Sequence, residues 1–476
     1  MQTPYSTINP FSASKKLVFI LLPIMWLASV DSCAQFTRPV IKQDTFALDS
    51  TPPRKRFWRA SGELMIAQIL PWAYNYYKRD AQFARVTWES IWYNMHFKNW
   101  EWDDNNFKTN QFDHAYQGSF YYSAFRSNGY SFWQSAPAAL AGSYLWEVVG
   151  ETHPPAPNDL INTTLGGISL GEMTYRMSNL IVNNRKTGFG RQVQEVCAFL
   201  VNPMNGLNRI FDGKWGRIAP NHYTRSPLNV GGTLDIGWRR FSSKLEDVLA
   251  KGEDEFYARV KFNYGDPYSE YNKPFDNFYF GFEVGASDSA YLNALYVSGT
   301  LKGWPMREDE KVTHIASVTM NYDYYYNTAF EFSGQSFYFN ILSDFHIDNK
   351  TNVQTIVGAG PIVLAAVPDD YLYYGEGRDY NFGMGFSIRA GALLILSNRF
   401  TFNIHYRGGW FNTINGNESS YYLYGPGTEI AYLIFDRLSF GLELGFFNID
   451  AHYADYPDTD KQYPFGRISL GYRLGN

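Results

Sequence analysis

Residues 381–396 read NFGMGFSIRAGALLIL. Alternate positions put Phe382, Met384, Phe386, Ile388, Ala390, Ala392 and Leu394 on one face, and Gly383, Gly385, Ser387, Arg389 and Gly391 on the other. A strand turns successive side chains to opposite sides, so this segment has one oily face and one polar or glycine face over a length that can cross a bilayer. The same period returns in FYARVKFNY (256–264), RFTFNIHYR (399–407) and GRISLGYRLGN (466–476). A soluble sandwich also alternates, but its strands are shorter and its apolar face is less crowded with aromatic side chains. The pattern predicts a transmembrane antiparallel β-barrel of about 12 strands, preceded by an α-helical domain.

Composition agrees. Aromatic residues make up 18% of the 476 residues, yet mean hydropathy is −0.33, as expected when apolar side chains occupy only alternate positions. A formal net charge of −5 speaks against nucleic-acid binding. Near the end of the chain, short connections at 397–399 and 436–437 alternate with long polar ones at 367–380, 411–421 and 448–464, which predicts periplasmic turns, outer loops and a periplasmic C-terminus. Two further segments, 265–277 (GDPYSEYNKPFDN) and 301–311 (LKGWPMREDEK), read as long connections where turns are expected, and imply that one strand is miscounted or lies outside the wall.

At the other end, SASKKLVFILLPIMWLASVDSCAQ (12–35) has two lysines, an apolar run and small residues before Ala34. It is too short to span a membrane and predicts an export signal over 1–34, with lipidation of Cys33 as the alternative to simple cleavage. Cys197 is then the one cysteine of the mature chain, so no internal disulfide forms. The expected organisation is signal 1–34, spacer 35–56, helical domain 57–200, linker 201–228 and barrel 229–476, with the helices on the periplasmic side or in the barrel lumen of an outer-membrane protein.

The helical domain carries an unusual polar set. In FDHAYQGSFYYSAFR (112–126), SYLWEVVGE (143–151) and PNDLINTTLGGISLGEMTYR (157–176), Asp113, His114, Glu147, Asp159, Asn162, Glu172 and Arg176 interrupt small or apolar residues. Asn158 or Asp159 is the expected cap of the third helix, and Gly167 and Gly171 make a small-xxx-small pair suited to close packing. Together these segments resemble an uncharacterised Gram-negative family, catalogued as a domain of unknown function, whose members are thought to be exported outer-membrane proteins. The order of Asp113, His114, Glu147, Asp159, Leu160, Asn162 and Gly166 is also similar to that of VanZ and YfiM-type helical membrane families, although no lysine follows Asp113. Neither resemblance implies a reaction.

Three functions compete. An envelope lipid or glycan hydrolase or transferase would use His114 as general base, held in one tautomer by Glu147 or Asp159, with Asn162 or Arg176 stabilising negative charge and Asp113, Glu172 and Arg176 in a binding role. Ser119 and Ser143 are the candidate nucleophiles, without a Gly-x-Ser-x-Gly elbow. His314 and His405 in the barrel lack a serine and asparagine arrangement for deacylation. Alternatively the set is a structural tie, since buried polar groups on facing helices satisfy one another. The third reading is a narrow channel or small-solute carrier with a helical plug, its lumen lined by Arg259, Lys261, Arg389, Arg407 and Arg467. His114, Glu147 and Asp159 offer mixed ligands, but no His-x-x-x-His or Cys-x-x-Cys spacing supports them, so no metal and no cofactor are expected. Expected partners are outer-membrane lipid and, during insertion, the barrel-assembly machinery; no nucleic acid is expected, and the oligomeric state is left open.

Overall fold

A computed structural model describes residues 53–225, 230–242, 252–285, 291–327, 330–375 and 377–474. The expected signal, its cleavage site and Cys33 lie outside the described residues. Seven α-helices come first: α1 (Phe57–Tyr77), α2 (Trp88–Asn94), α3 (His114–Arg126), α4 (Phe132–Leu145), α5 (Pro157–Ile181), α6 (Phe189–Val201) and α7 (Pro203–Phe211). The last of these lies inside the segment expected to be a linker. Pro71 does not interrupt α1.

Twelve strands follow and close into an antiparallel barrel: β1 (Val230–Phe241), β2 (Glu253–Tyr264), β3 (Phe278–Gly285), β4 (Leu292–Glu308), β5 (Val312–Tyr326), β6 (Glu331–Asp348), β7 (Thr351–Pro368), β8 (Tyr380–Leu396), β9 (Phe400–Asn415), β10 (Ser419–Leu433), β11 (Leu438–Tyr453) and β12 (Thr459–Leu474). β1 and β12 seal the wall in register from Gly232 opposite Leu474 to Phe241 opposite Phe465. Continuous pairing along this seam leaves the wall without an open strand edge. All twelve strands lie in the wall, so the strand count stands without one left outside. Residues 301–308 belong to β4 rather than to a connection; Pro305 is accommodated at a register shift between Pro305 and Arg307. Likewise β9, β10, β11 and β12 reach into the expected loops 411–421 and 448–464.

One end of the barrel collects the connections 309–311, 349–350, 397–399 and 434–437, together with the start of β1 and the end of β12. This is the turn end. The opposite, loop end carries 369–379, 416–418 and 454–458. The longer connection 265–277 is the exception at the turn end, and it has a packing role described below.

The helices lie neither in the lumen nor below the barrel. Asn321, Asp323 and Tyr325 of β5 line the lumen cavity, so the alternate residues Met320, Tyr322 and Tyr324 point outward. Those outward residues are buried in one apolar cluster with Ala115 and Tyr122 of α3 and Ile168 and Met173 of α5. The Tyr322 hydroxyl donates to the Gln111 carbonyl at 2.6 Å, and Gln335 of β6 donates to Asn162 of α5 at 2.6 Å. At the turn end, Phe275 of the 265–277 connection stacks on Phe132 of α4. The helical domain is therefore a shell against the outer wall, and the expected plug is corrected: the lumen cavity is lined by barrel residues alone. The physical reason is polarity. Helices with apolar and small packing faces match the oily outer wall, whereas the lumen side is charged.

α5 is the spine of this shell. Over roughly 37 Å it runs from the loop end, where Asn158 accepts from the Asp103 amide at 3.0 Å, to the turn end, where Arg176 donates to the Pro274 carbonyl at 2.9 Å. The glycines expected to pack closely do so: a Cβ on Gly118 would lie 1.9 Å from the Thr163 carbonyl oxygen, and one on Gly167 would lie 2.5 Å from the Gly118 carbonyl carbon. Since the wall closes through strand pairing that does not involve the helices, Gly118→Ala should loosen the shell, at a cost of about 1–3 kcal/mol or more to the α3–α5 contact, without opening the barrel. The expected outcome is a protein that keeps heat-modifiable gel mobility, which reports the closed barrel, while its helices become sensitive to trypsin.

Candidate functional site

The structure splits the predicted polar set into three groups along the shell. At the turn end, Glu172 is fully buried and accepts from Arg126 Nε at 2.7 Å, Arg176 Nε at 2.7 Å and the Tyr122 hydroxyl at 2.7 Å. Arg176 also meets Asp276 of the 265–277 connection at 2.9 Å. The expected Glu172–Arg176 pair is present, but as part of a buried knot that includes Arg126, which the sequence reading had not grouped with it. An aromatic ring, Tyr175, covers the Arg126 guanidinium at 4.5 Å.

Midway, Asn162 points away from His114. Its amide donates to the Asn110 carbonyl and accepts from Gln335, so it ties α5 to the segment before α3 and to the barrel wall. Asn110 in turn donates to the Tyr380 hydroxyl at 2.7 Å. With both polar atoms of its side chain engaged, Asn162 is a positioning residue of the shell.

At the loop end, His114 and Asp159 come together, with His114 Nε2 3.6 Å from Asp159 Oδ1. The third member is Asp103 rather than Glu147: one ligand atom from each of Asp103, His114 and Asp159 lies within 4.8 Å of the others. Asp103 sits in an irregular segment between α2 and α3, and no periodicity marks it. Glu147 lies in the π-turn 146–150 that ends α4 and accepts the Ala156 amide at 2.9 Å. Asp113 is half-exposed and pairs with Lys108 at 2.9 Å, outside the group. The expected cap of α5 is also corrected. Ala156 occupies that position, with Pro157 opening the helix, and Asn158 instead accepts from Asp103 and donates to Asp159 at 2.8 Å.

Neither serine considered as a nucleophile is aimed at His114. Ser119 Oγ donates to the Tyr116 carbonyl at 2.6 Å and Ser143 Oγ to the Asp159 carbonyl at 3.5 Å. The hydroxyl nearest the imidazole is Thr163 Oγ1, 3.4 Å from Nδ1.

The lumen holds a cavity of about 580 Å³. All five expected cations, Arg259, Lys261, Arg389, Arg407 and Arg467, line it. Arg259 and Arg467 share Glu443 at 2.7 and 3.0 Å, Lys261 meets Glu429, and Arg407 grips Asp323 with two bonds at 2.9 and 2.7 Å. Arg259 to Glu443 joins β2 to β11, and Lys261 to Glu429 joins β2 to β10, so these pairs bridge across the lumen. Arg389 differs: it donates to Asn340 at 2.8 Å, Thr319 at 3.3 Å and Ser298 at 3.4 Å, with the Tyr338 ring 4.7 Å away, all neutral partners. Toward the loop end, Phe330, Phe411, Tyr421 and Phe447 form a separate apolar layer inside the barrel.

Comparison with known proteins finds that residues 99–204 match the family model described as Domain of unknown function (DUF3943). That segment contains Asp103, His114, Glu147, Asp159, Asn162, Glu172 and Arg176, in line with the resemblance to an uncharacterised family; the further likeness to VanZ and YfiM-type families gains no support. No curated protein sequence matches the chain. Among solved structures, it is distantly similar to the NanC porin, at 10% identity over 50% of this chain and 98% of that one, with a TM-score of 0.28. The outer membrane channel DcaP of Acinetobacter baumannii matches at 8% identity over 52% and 96%, with a TM-score of 0.25. The Pseudomonas putida toluene transporter TodX matches at 7% over 53% and 91%, with a TM-score of 0.22.

The buried knot generates a direct prediction. Glu172→Ala leaves two buried guanidinium groups without their shared carboxylate, and should cost about 3–5 kcal/mol. Thermal melts followed by the helical far-ultraviolet signal should show the shell unfolding at much lower temperature while the strand signal persists.

Proposed function

We propose that this protein is an integral outer-membrane barrel whose lumen takes up a small polar solute bearing an acidic group, with the helical shell sharing the bilayer beside it. The observation that carries the reading is the cavity itself. It is large enough for a small molecule, and one of its cations, Arg389, is held by neutral groups and so has charge left for an anionic partner. A single carboxylate or phosphate would meet Arg389 beside the already paired Arg407, with Tyr296 and Tyr338 offering ring faces. The ion pairs between lumen side chains, together with the aromatic layer, narrow the conduit, which favours a gated carrier over an open pore.

Membrane embedding rests on inverted polarity. On α1 the residues turned inward include Glu63 and Gln68, while Met65, Ile66, Ile69 and Leu70 are exposed. Glu63 accepts from Asn128 and Asn208 at 2.8 Å, and Gln68 donates to the Gly142 carbonyl at 2.6 Å. A water-soluble helix would be arranged the other way round. Aromatic residues stand at both ends of α1, Phe57 and Trp58 at one and Tyr74 and Tyr77 at the other, as in interfacial belts. Among the described residues no helix is long and apolar enough to cross a membrane by itself; the shell is supported by the wall. On the uncovered side of the barrel, Ile404, Trp410, Leu444, Ile468 and Leu470 continue the same oily surface.

The hydrolase reading has less support, because the serines near His114 are committed to backbone carbonyls. The polar groups of the shell serve the carrier reading as ties between helices and wall.

Two measurements test this. In planar bilayers, replacing the aromatic layer by Phe330→Ala with Phe447→Ala should raise single-channel conductance severalfold over the quiet parent, and adding Arg389→Ala should reduce its anion preference. A double variant that folds yet conducts no better than the parent would remove the conduit. Separately, a nitroxide on Ile69→Cys in liposomes should be reached by oxygen in the bilayer and shielded from a water-soluble nickel reagent; the reverse would place the shell in water.

A further inference from the structure

Asp103, His114 and Asp159 are brought together from three places in the chain: the loop before α3, the first residue of α3 and, some 45 residues further on, the first turn of α5. We propose that they form a binding site for one divalent transition cation, of the Zn2+ or Mn2+ kind, at the loop end of the helical shell. The proposal is independent of what the lumen carries.

Distance is the first argument. The 3.6 Å between His114 Nε2 and Asp159 Oδ1 exceeds a hydrogen bond. Two ligands held at about 2.1 Å from one ion in tetrahedral geometry stand roughly 3.4 Å apart, which is close to what these atoms show. Asp103 supplies a third oxygen within the same 4.8 Å set. One nitrogen and two carboxylates suit a first-row dication that accepts mixed donors.

Orientation is the second. Thr163 Oγ1 lies 3.4 Å from His114 Nδ1, where it can accept the Nδ1 proton and so favour the tautomer in which Nε2 presents a lone pair to the two carboxylates. Asn158 donates to Asp159 Oδ1 at 2.8 Å, and Asn105 donates to Asp103 Oδ2 at 2.7 Å. Metal ligands are commonly steered by such outer partners. Without a cation, a nitrogen lone pair would face two acidic oxygens.

A third observation points the same way. Glu147 is 1% exposed, and its Oε1 has no hydrogen-bond partner. The group thus gathers carboxylates in a covered place, and a bound dication offsets their repulsion. Such an ion would also clip the shell to the loop end of the barrel, because Arg378 of the 369–379 connection donates to the Asp103 carbonyl at 3.3 Å.

The test is calorimetric titration of Zn2+ into the full chain, purified in detergent and stripped with EDTA, with Mn2+ as competitor. One ion per chain is expected, with affinity falling about tenfold or more in Asp103→Asn and in the isosteric Asp159→Asn, each checked for retained helical signal. His452→Ala, which removes an exposed histidine paired with Asp458 far along the chain, should leave the affinity unchanged. Absence of a stoichiometric site, or folded Asp103→Asn and Asp159→Asn proteins that bind as the parent does, would overturn the proposal. Loss of binding in His452→Ala alone would do the same by locating the ion on the surface. Should one aspartate variant fail to fold, the other decides.

Discussion

In the bilayer setting proposed above, the whole structure depends on one constraint: polar groups must be satisfied inside because the surroundings offer them nothing. In the barrel this fixes charged side chains in the lumen and oily ones outside. In the shell it turns α1 inside out, burying Glu63 and Gln68 and exposing Ile66, Ile69 and Leu70. Hydrogen bonds that would be optional at a wet surface become obligatory when water is absent. The knot at Glu172 is the strongest case, since one carboxylate answers two guanidinium groups and a phenol.

Close approach follows from the same constraint. Apolar surface supplies little drive for helix association when lipid is the alternative, so contact must come from fit and from polar ties. Gly118 and Gly167 let α3 and α5 meet backbone to backbone, and Gly166 does the same for the barrel wall, where a Cβ would press on Ala115 and come 3.2 Å from the Tyr322 ring. Tyr322, Gln335 and Tyr380 then reach from the wall to groups of the shell. Each is a strand residue whose neighbours in sequence face inward, so one strand serves both the barrel interior and the helix interface.

The barrel was legible in the sequence because two sharply different environments act on alternate residues, and residues 382–391 display them without exception. The polar helices were legible as a set for the same reason: His114, Asp159, Glu172 and Arg176 stand out among small and apolar neighbours. What could not be read was their grouping. Arg126 belongs with Glu172 only because α3 and α5 run side by side in a particular register, and Asp103 joins His114 only because an irregular segment folds back onto two helix starts. The placement of the helices was hidden by inverted polarity, which makes an exposed apolar face look like a packing face. Residues 301–311 misled for a local reason: Gly303, Pro305 and several charges mimic a connection, whereas register shifts let β4 continue through them.

The division of labour between shell and lumen bears on how the barrel could open. The cross-lumen pairs involve β2 with β10 and β11, while the shell cluster takes in outward residues from β1 to β8 and Leu474 at the end of β12. One side of the wall is therefore braced by helices, whereas among the described residues β9 to β11 contribute nothing to that cluster. A pair such as Arg259 with Glu443 joins the braced half to the unbraced half, so a solute that competes for one of its charges loosens the link where the wall has least external support. Arg389, on the last braced strand and without a carboxylate of its own, lies where an incoming anion can dock before any such pair breaks. On this account the shell does not plug the lumen; it supplies the fixed side against which a narrow barrel can move.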